Sequence, residues 1–358
     1  MKSRLRPLPP GLAAFGSPAA GAGGGANGAS RPLLRGLGQT PMPKVAQPVR
    51  RNGNGTSSIP LYVDLHTHTT ASDGTDSPAG LIRRAKAAGL SAVAITDHDT
   101  VAGLPEAANE ARRLGIEFLP GIEISAAYPR PGVMHLLGYG FDPNDAGLRR
   151  LTAHLQDARH ERNEFLVTKL RSVGIEVTFE ELHEIARGRN GGADDARVIG
   201  RPHFAKLLLI KGYVSHVHAA YRYYLGNTGA FRFDRREPEP AEAIAAVRSA
   251  GGVVSLAHPN QLRKQNFAQL ASEVGHLASL GLDGVEVIYN DHRESFVAEL
   301  KDLRRRHDLL MTGGSDFHGS AKRWIVLGRC GNRRRVPRKY YDALLVRVRE
   351  RRGACVPV

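Results

Sequence analysis

From residue 61 onward, the chain alternates between short apolar runs and longer amphipathic stretches. The run SAVAI at 91–95 is continuously apolar and has the length of a buried strand. The stretch before it, 78–88, carries apolar residues at helical spacing, with Pro78 at its first position and Gly89 directly after it. Proline and glycine are typical of these two helix ends. The repeated order of strand and helix predicts an α/β fold.

Seven apolar runs qualify as strands, at 61–65, 91–95, 117–124, 133–138, 252–257, 284–290 and 309–313. Intervening helices are predicted over 78–88, 104–114, 240–250, 267–280 and 294–307. This pattern implies a parallel sheet, which is either open and doubly wound or closed into a barrel. Polar residues of metal-binding type follow nearly every strand. In an open sheet they would be gathered at one switch point, so this distribution favours the barrel.

The pattern changes between residues 145 and 230, where apolar strand runs are absent. The stretch 148–174 is a long amphipathic helix with a basic polar face, and 179–186 and 202–211 add shorter helices. We interpret 145–231 as a helical subdomain that caps the substrate, inserted between the barrel segments 59–144 and 232–328. Residues 329–358 form a basic extension, which we expect to be a solvated final turn and helix.

The charge of the chain is unevenly distributed. The chain has 50 basic and 35 acidic residues, a formal net charge of +15, which invites an anionic partner. Residues 1–58 contain eight of the basic residues, no acid, and many glycines, alanines and prolines. Such a segment buries too little apolar surface to order itself, so a disordered tail is predicted. A solvated tail or a start codon assigned too far upstream is favoured over an organelle transit peptide.

Cysteine content and hydropathy indicate the compartment. Cys330 and Cys355 are the only cysteines and stand outside any ligand-like spacing, so neither a disulfide framework nor a thiolate zinc site is indicated. This composition suits a reducing cytoplasm. No apolar run reaches the length of roughly 18–20 residues that a membrane helix needs. We therefore predict a cytoplasmic protein that does not contact membranes.

The segment after the first strand carries the clearest candidate chemistry. His66 and His68 are two positions apart, and alternate residues of a strand point the same way, so their imidazoles converge. Asp73 follows in an Asp-Gly turn, from which its carboxylate can reach the same place. Imidazoles and a carboxylate are ligands that a borderline divalent metal takes. Two surface histidines on a strand that happens to end here are the alternative.

Residues of the same types occur on five further strands. Because the carboxyl ends of parallel strands meet on one face of a barrel, nine side chains are predicted to converge: His66, His68, Asp73, His98, Glu123, His135, His258, Asp316 and His318. Nine residues suit two or three ions with bridging carboxylates, since one catalytic zinc uses three protein ligands. Mixed imidazole and carboxylate ligands fit Mn²⁺, Fe²⁺ or Zn²⁺. Paired metals suit hydrolysis of a phosphate ester by metal-bound hydroxide.

The motifs DLHTHTTASDG, AITDHDT, GIE, VVSLAHP and GGSDFHG occur in this order between residues 61 and 325. Together they resemble the motifs of the PHP (polymerase and histidinol phosphatase) phosphoesterases. The resemblance implies a distorted (β/α)7 PHP barrel with a trinuclear metal centre, held by the nine residues named above, and manganese is the expected metal. Asp73 stands where many members of the family have a histidine.

A further motif, GRPHFA at 200–205, lies in the predicted helical insert. Together with Asp73, it resembles the 3′,5′-nucleoside bisphosphate phosphatases, a group that includes the RNase AM enzymes, which also trim RNA from its 5′ end. The resemblance implies that Arg201 and His203 hold the substrate phosphate. The start of a helix, where backbone N–H groups are free, already favours an anion.

Two acids flank one of the predicted metal ligands. Asp97 and Asp99 stand on either side of His98, and we expect them to orient ligands or to protonate the leaving oxygen. Orientation is the more common role for such neighbours. With His203, they complete the set of candidate catalytic residues.

Other polar residues are candidate contacts for the substrate. Arg159, Arg162 and Asn163 lie on one face of the long helix and extend the cationic wall, although a solvated charged face is the favoured interpretation of this stripe. Asn163 and Asn290 are candidate substrate-binding residues beside Arg201. Tyr289 and Asn290 end the sixth strand, which carries no predicted ligand, and are candidates to touch a sugar or base.

These features predict a metal-dependent phosphoesterase that removes phosphate from 3′,5′-nucleoside bisphosphates and trims RNA 5′ ends by 5′-3′ exonuclease action. The expected partner is therefore a nucleotide or an RNA 5′ end, and no protein partner is inferred. One alternative is a histidinol-phosphatase-like or other small-molecule phosphomonoesterase. The other is a non-catalytic metal-binding accessory module, which the full ligand set disfavours.

Overall fold

The computed structural model describes residues 62–187, 198–226 and 231–354. Within these ranges the chain forms eight strands, which are β1 (Tyr62–Asp64), β2 (Ala92–Ile95), β3 (Glu117–Ala126), β4 (Met134–Tyr139), β5 (Val253–Leu256), β6 (Gly284–Ile288), β7 (Leu310–Gly313) and β8 (Val336–Pro337). The tail predicted at 1–58 lies outside the described residues.

The described part of the chain also contains ten α-helices. They are α1 (Pro78–Ala87), α2 (Leu104–Leu114), α3 (Ala146–Ser172), α4 (Phe179–Arg187), α5 (Arg201–Ile210), α6 (Val217–Ala220), α7 (Pro240–Ser249), α8 (Phe267–Ser279), α9 (Glu294–Arg306) and α10 (Arg338–Ala354). A π-helical turn, Tyr221–Leu225, extends α6, and a 3₁₀ turn, Gly319–Lys322, follows β7.

Local signals place the helix ends where the sequence predicts them. The Ser77 side chain accepts a hydrogen bond from the Gly80 N–H, which caps α1, and Pro78 occupies the first helical position. After α1, Gly89 takes a φ of +71°, a conformation that glycine adopts without a steric penalty. These ends fix the length of α1 and turn the chain back toward β2.

The strands form one sheet in the order β7-β6-β5-β4-β3-β2-β1-β8, and this sheet is nearly closed into a barrel. Beyond the ends of β1 and β7, Thr67 and Phe317 form an isolated parallel bridge. The Leu65 N–H also donates to the Gly313 carbonyl at 3.3 Å. The barrel seam therefore closes through the segments that directly follow β1 and β7, which confirms the predicted barrel.

The prediction of a wholly parallel sheet is wrong at two strands. β4 runs antiparallel to both β3 and β5, and β8 runs antiparallel to β1. For β4, the reason is the connection from β3 to β4, which comprises only residues 127–133. A parallel crossover needs a dozen or more residues, whereas a link of this length makes a hairpin.

Five helices, α3 to α7, lie between β4 and β5 in the chain. The first part of α3 nevertheless contributes Leu148, Leu151 and Leu155 to the same buried cluster as the barrel strands and helices. The division into barrel segments 59–144 and 232–328 and an insert at 145–231 stays a prediction. Residues 188–197 and 227–230 of this region lie outside the described residues.

The prediction of a solvated end after residue 329 is wrong. Val336 of β8 pairs with Val63 of β1, and Tyr341, Leu344 and Val348 of α10 are buried in a core cluster with the barrel strands. These three positions are spaced as one helix face, but the arginines on either side of them, at 333–338 and 347–352, hide the apolar stripe from a composition-based interpretation.

In the described ranges, no helix combines the length and the apolar character needed to cross a membrane. This finding agrees with the hydropathy of the sequence. A cytoplasmic location stays a prediction.

Candidate metal centre and substrate cleft

The barrel seam brings two pairs of predicted ligands together. His66 and His68 follow β1, Asp316 and His318 follow β7, and both backbones are joined: the Asp316 N–H donates to the His66 carbonyl at 2.8 Å, and the His68 N–H to the Phe317 carbonyl at 2.9 Å. Gly314 permits this approach, because a Cβ there would overlap the backbone and Cβ of His66. A glycine is therefore required at this position.

Glu123 lies at the centre of the site and is 1 % exposed. Five imidazoles have a nitrogen between 2.9 and 3.5 Å from its carboxylate oxygens: His66, His68, His98, His135 and His258. Burial alone would raise the pKa of Glu123, but the surrounding histidines hold it well below the ordinary value. The side chain is thus an ionised carboxylate placed between several potential metal-binding nitrogens.

The other two acids join the site from either side. The Asp73 carboxylate lies 3.2 Å from His318 Nε2 and 3.9 Å from both His68 Nδ1 and His98 Nε2. Asp316 Oδ1 lies 3.2 Å from His68 Nε2 and 3.6 Å from His66 Nε2. The structure therefore brings all nine sequence-predicted metal residues together.

The state of the buried polar atoms tests whether this cluster fits metal ions. Seven buried atoms of the cluster have no hydrogen-bond partner: His66 Nε2, His68 Nδ1 and Nε2, His98 Nδ1, His258 Nδ1, Asp73 Oδ1 and Glu123 Oε2. Buried polar atoms without a partner are costly in a folded protein. Three groups of these residues also place their ligand atoms within 4.8 Å of one another. The residues present therefore fit a centre of several divalent ions.

Backbone strain also occurs at this site. Asp99, His258 and Asp316 have φ values of +56°, +25° and +54°. Residues other than glycine rarely adopt this region, and each instance costs about 1–3 kcal/mol. Such strain persists where the surrounding structure holds a side chain in a required direction, which fits a site that must aim several ligands at one point.

Glu286 of β6 is a residue that the sequence reasoning missed. Its carboxylate lies 3.0 Å from His66 Nδ1 and accepts a hydrogen bond from the His258 N–H at 2.8 Å. It thus fixes the orientation of the His66 ring and leaves Nε2 facing the site. A single acid within the apolar run GVEVI was the available signal for Glu286.

Tyr289, predicted to touch a sugar or base, instead donates its hydroxyl hydrogen bond to Asp316 at 3.0 Å.

Lys322 was also missed. Its Nζ lies 2.8 Å from Asp316 Oδ2, and the Asp316 carboxylate raises the pKa of Lys322, although burial alone would lower it. The ammonium group therefore contacts Asp316 at Oδ2, whereas His66 and His68 face Oδ1 of the same carboxylate. The sequence signal was weak, since a lysine after the GGSDFHG motif reads as an ordinary surface residue.

Asp97 and Asp99 lie next to the site but point to different partners. Asp97 accepts hydrogen bonds from the Thr69 N–H, the Thr69 hydroxyl and the Ser72 hydroxyl, so it holds the loop that carries His68 and Asp73. Asp99 accepts from the Arg159 guanidinium at 2.6 Å and from that of Arg235 at 3.2 Å. These contacts favour positioning by both acids over proton donation.

Opposite electrostatic effects act on the two acids. Burial raises the pKa of Asp97. Burial would also raise the pKa of Asp99, but Arg159 and Arg235 lower it below the ordinary value. Asp99 is therefore held ionised and serves as the counter-charge of the two guanidinium groups.

Arg201 and His203 lie at the start of α5, as predicted. His203 Nδ1 accepts a hydrogen bond from the Gly200 N–H at 2.9 Å, so its proton is on Nε2. Burial lowers the pKa of His203 to about 4, which keeps the ring neutral at physiological pH. Arg201 donates to the Leu225 carbonyl at 3.2 Å and lines the cleft beside the metal centre.

The prediction that Arg159, Arg162 and Asn163 form a solvated face is wrong, because all three are buried. The Asn163 side chain donates to the Ile199 carbonyl at 3.1 Å, and so holds the segment before Arg201. The Asn290 side chain donates to the Ser315 carbonyl. Among the described residues that line the cleft, neither asparagine appears, so the structure does not bring these two candidates to the substrate space.

A cleft of about 880 Å³ opens over the metal centre. Asp73, His98, His135 and His318 lie in its lining, and its wall is strongly basic, with Arg130, Arg159, Arg162, Arg201, Arg232, Arg235, Arg236 and Lys322. Asp234 and Glu237 are the acids of this wall. The cleft therefore combines a metal-binding cluster with a cationic wall, an arrangement suited to an anionic substrate.

Comparison with known proteins agrees with this chemistry. Residues 64–226 match the model of the PHP domain. A 3′,5′-nucleoside bisphosphate phosphatase of Chromobacterium violaceum is 32% identical over 258 residues, which cover 72% of this chain and 87% of that protein. A 5′-3′ exoribonuclease of Haemophilus influenzae is 32% identical over 268 residues, which cover 74% of this chain and 93% of that protein.

A third relative has another activity. It is a phosphoribosyl 1,2-cyclic phosphate 1,2-diphosphodiesterase of Eggerthella lenta, 31% identical over 72% of this chain and 95% of that protein. Among solved structures, a Bifidobacterium adolescentis protein assigned to the metal-dependent phosphoesterases has a TM-score of 0.70 and 32% identity, and the match covers 80% of this chain and 96% of that protein. The three relatives and the solved structure all connect the chain to the hydrolysis of phosphate esters.

Proposed function

The chain belongs to the PHP family of metal-dependent phosphoesterases, and on that premise we propose that its substrates are nucleotides, namely 3′,5′-nucleoside bisphosphates and RNA 5′ ends. The two relatives from Chromobacterium violaceum and Haemophilus influenzae act on such molecules by name. The 5′-3′ exonuclease action would be the same hydrolysis of a phosphate ester, applied to the terminal nucleotide of an RNA instead of a mononucleotide.

The buried charge of the cleft wall is the observation that carries this proposal. Arg159 and Arg235 share the Asp99 carboxylate, and Arg235 also pairs with Glu237. Arg162 is 8 % exposed, and its guanidinium donates to the Asn163 and Ile199 oxygens and not to a carboxylate of the described chain. A buried guanidinium without a counter-charge is costly unless an anion binds to it.

The pKa shifts in this wall have the same origin. Burial and the neighbouring Arg159, Arg235 and Arg201 lower the pKa of Arg162 well below its ordinary value. Burial also lowers the pKa of Arg201, with Arg235 and Arg159 adding to the effect. A phosphate group bound between Arg162 and Arg201 would supply the negative charge that Arg162 lacks among the described residues, and guanidinium groups bind phosphate in a bidentate manner.

We propose that the nine clustered residues hold two or three divalent ions, with manganese favoured over iron or zinc. Bound ions of this kind lower the pKa of water and neutralise charge on phosphate oxygens. The chain's own groups would do the rest. Arg162 and Arg201 would bind the non-bridging phosphate oxygens, and His203 would donate its Nε2–H to one of them. Asp97 and Glu286 would keep the ligand-bearing segments in place.

The test starts from protein stripped of metal and reloaded with Mn²⁺. We expect release of inorganic phosphate from adenosine 3′,5′-bisphosphate, and loss of this release in Asp316→Ala. Arg201→Ala should lower kcat/KM while the bound metal, measured by elemental analysis, stays unchanged. A loss of metal in this variant would show that Arg201 supports the metal centre and not the substrate.

Other substrates separate the alternatives. Release of phosphate only from histidinol phosphate would favour the small-molecule alternative, and cleavage only of a cyclic phosphoribosyl diester would favour the activity named for the Eggerthella lenta relative. Bound metal without cleavage of any of these esters would favour an accessory module. Oligonucleotides labelled at the 5′ end report on exonuclease action, which should appear as mononucleotide release.

A further inference from the structure

Trp324 is the single tryptophan of the chain and is 74 % exposed. It lines the cleft that opens over the metal centre. Among the described residues, no aromatic ring packs against its indole and no cation lies over the indole face. Large aromatic side chains are usually at least partly covered, and an exposed one on a ligand cleft indicates a contact that forms when a ligand binds.

The segment that carries Trp324 is firmly anchored on both sides. Before it, Lys322 binds Asp316 of the metal centre at 2.8 Å. After it, Leu327 is buried in the barrel core, and the Gly328 N–H donates to Asp64 at 2.7 Å. The Ile325 N–H closes a turn onto the Lys322 carbonyl. The exposure of the indole is therefore a property of a fixed position close to the site, not of a loose loop.

The rest of the cleft shows what kind of ligand fits this indole. Val217, His218 and Tyr221 line the cleft from α6 and the π-helical turn, and Val217 is itself 40 % exposed. The basic wall described above suits a phosphate. A ligand that satisfies the whole cleft therefore carries an anionic group together with a flat ring, and a nucleotide has both.

We propose that Trp324 is a base-stacking residue that gives the cleft its preference for nucleotides over phosphate esters without a base. The inference rests on the proposed function and adds to it a recognition element outside the metal centre and the arginine wall. An indole stacks on the face of any nucleobase, so the platform accepts different bases. This tolerance is what an enzyme that removes successive nucleotides requires.

Steady-state kinetics test the proposal on the metal-loaded protein. In Trp324→Ala we expect the KM for adenosine 3′,5′-bisphosphate to rise by at least about tenfold, with a smaller effect on kcat. The inhibition constant of inorganic phosphate, which has no base, should change by less than about twofold. Trp324→Phe should recover most of the loss. Val326→Ala is the matched control, since Val326 is 55 % exposed on the same segment and is not among the described cleft residues.

Intrinsic fluorescence gives an independent measurement, because all tryptophan emission of the chain comes from Trp324. In metal-free protein, adenosine 3′,5′-bisphosphate should quench the emission in a saturable manner, and inorganic phosphate should not. Equal effects of both ligands, or no effect of the nucleotide, would contradict stacking.

The kinetic outcomes separate this inference from the proposed function. If the wild-type protein hydrolyses no nucleotide, the proposed function fails and this inference fails with it. If the nucleotide is hydrolysed and its KM is unchanged in Trp324→Ala, only the stacking role is overturned. A parallel loss of affinity for nucleotide and inorganic phosphate would also overturn it, because it would mean that the cleft itself is disturbed.

Discussion

Arg162 offers a direct test of the buried charge in the cleft wall. Methionine has a similar length and no charge, and the Ile199 carbonyl that Arg162 contacts keeps its hydrogen bond from Asn163. We expect the free energy of unfolding of Arg162→Met to change by less than about 1 kcal/mol, because removal of a buried charge without a counter-charge offsets the loss of its hydrogen bond to the buried Asn163 oxygen. The KM for the nucleotide should rise by about 10- to 100-fold, because a charged hydrogen bond to phosphate is lost. Chemical denaturation and steady-state kinetics measure the two effects. Lower stability with an unchanged KM would mean that Arg162 is structural.

Glu286 is expected to act through the ring of His66. Glu286→Gln keeps the size of the side chain but weakens the charged contact to His66 Nδ1 at 3.0 Å. We predict a decrease in metal affinity of about 10- to 100-fold, measured by titration of metal-free protein with Mn²⁺. The circular dichroism spectrum should not change. Metal affinity equal to that of the wild type would show that His66 is oriented by other contacts.

His203 should make stability depend on pH. Its pKa is lowered from 6.5 to about 4 by burial, so between these values the unfolded chain binds more protons than the folded one. The free energy of unfolding therefore rises by up to about 3 kcal/mol from this group as the pH increases from about 4 to 6.5. Above that range the contribution of His203 is constant. In His203→Asn, whose side-chain oxygen can still accept from the Gly200 N–H, this part of the rise should be absent. Denaturation of both metal-free proteins across this pH range gives the difference.

The success of sequence reasoning at the residue scale depended on local motifs. His66, His68, Asp316 and His318 stand in short stretches after apolar runs, and their convergence follows from strand geometry alone. The burial of Arg159, however, depends on where the long helix packs, and the spacing of charges along that helix does not contain this information. Contacts across the fold, such as that between Glu286 and His66, were hidden for the same reason.

At the scale of elements, α10 is expected to be a structural part of the barrel. Leu344 is 1 % exposed, so Leu344→Ala should lower the free energy of unfolding by about 2–5 kcal/mol. Val346 lies on the same helix and is 51 % exposed. Val346→Ala should change stability by less than about 0.5 kcal/mol. Urea denaturation of the two variants compares them directly, and equal effects would contradict the burial of this helix face.

Most elements were predictable because each is long enough to show its own period. The strands and helices of the barrel appear where the apolar runs and helix signals stand. β8 has only two residues, Val336–Pro337, which is too short for any alternation to be visible. The antiparallel direction of β4 was predictable from its short link to β3, but the regular alternation elsewhere suggested a uniform sheet.

At the scale of the whole molecule, metal binding should stabilise the barrel as a unit. The nine clustered residues come from segments at or after β1, β2, β3, β4, β5 and β7, so ions held between them connect most of the sheet. Adding Mn²⁺ to metal-free protein at about 100 times its dissociation constant should raise the free energy of unfolding by about 3 kcal/mol. Thermal unfolding followed by calorimetry measures this gain. Glu123→Gln should abolish most of it, whereas the exposed control Val346→Ala should keep it.

The seam of the barrel also has a consequence for the order in which the site is completed during translation. The Ser315 N–H donates to Asp64, a residue 251 positions earlier in the chain, and His66 and Asp316 meet at the same seam. At a synthesis rate of about 5–20 residues per second, His66 and His68 are made about ten to fifty seconds before Asp316. The barrel seam, and the ligand group that includes His318, can therefore form only after β7 has been made, whereas the groups around Glu123 consist of residues made earlier.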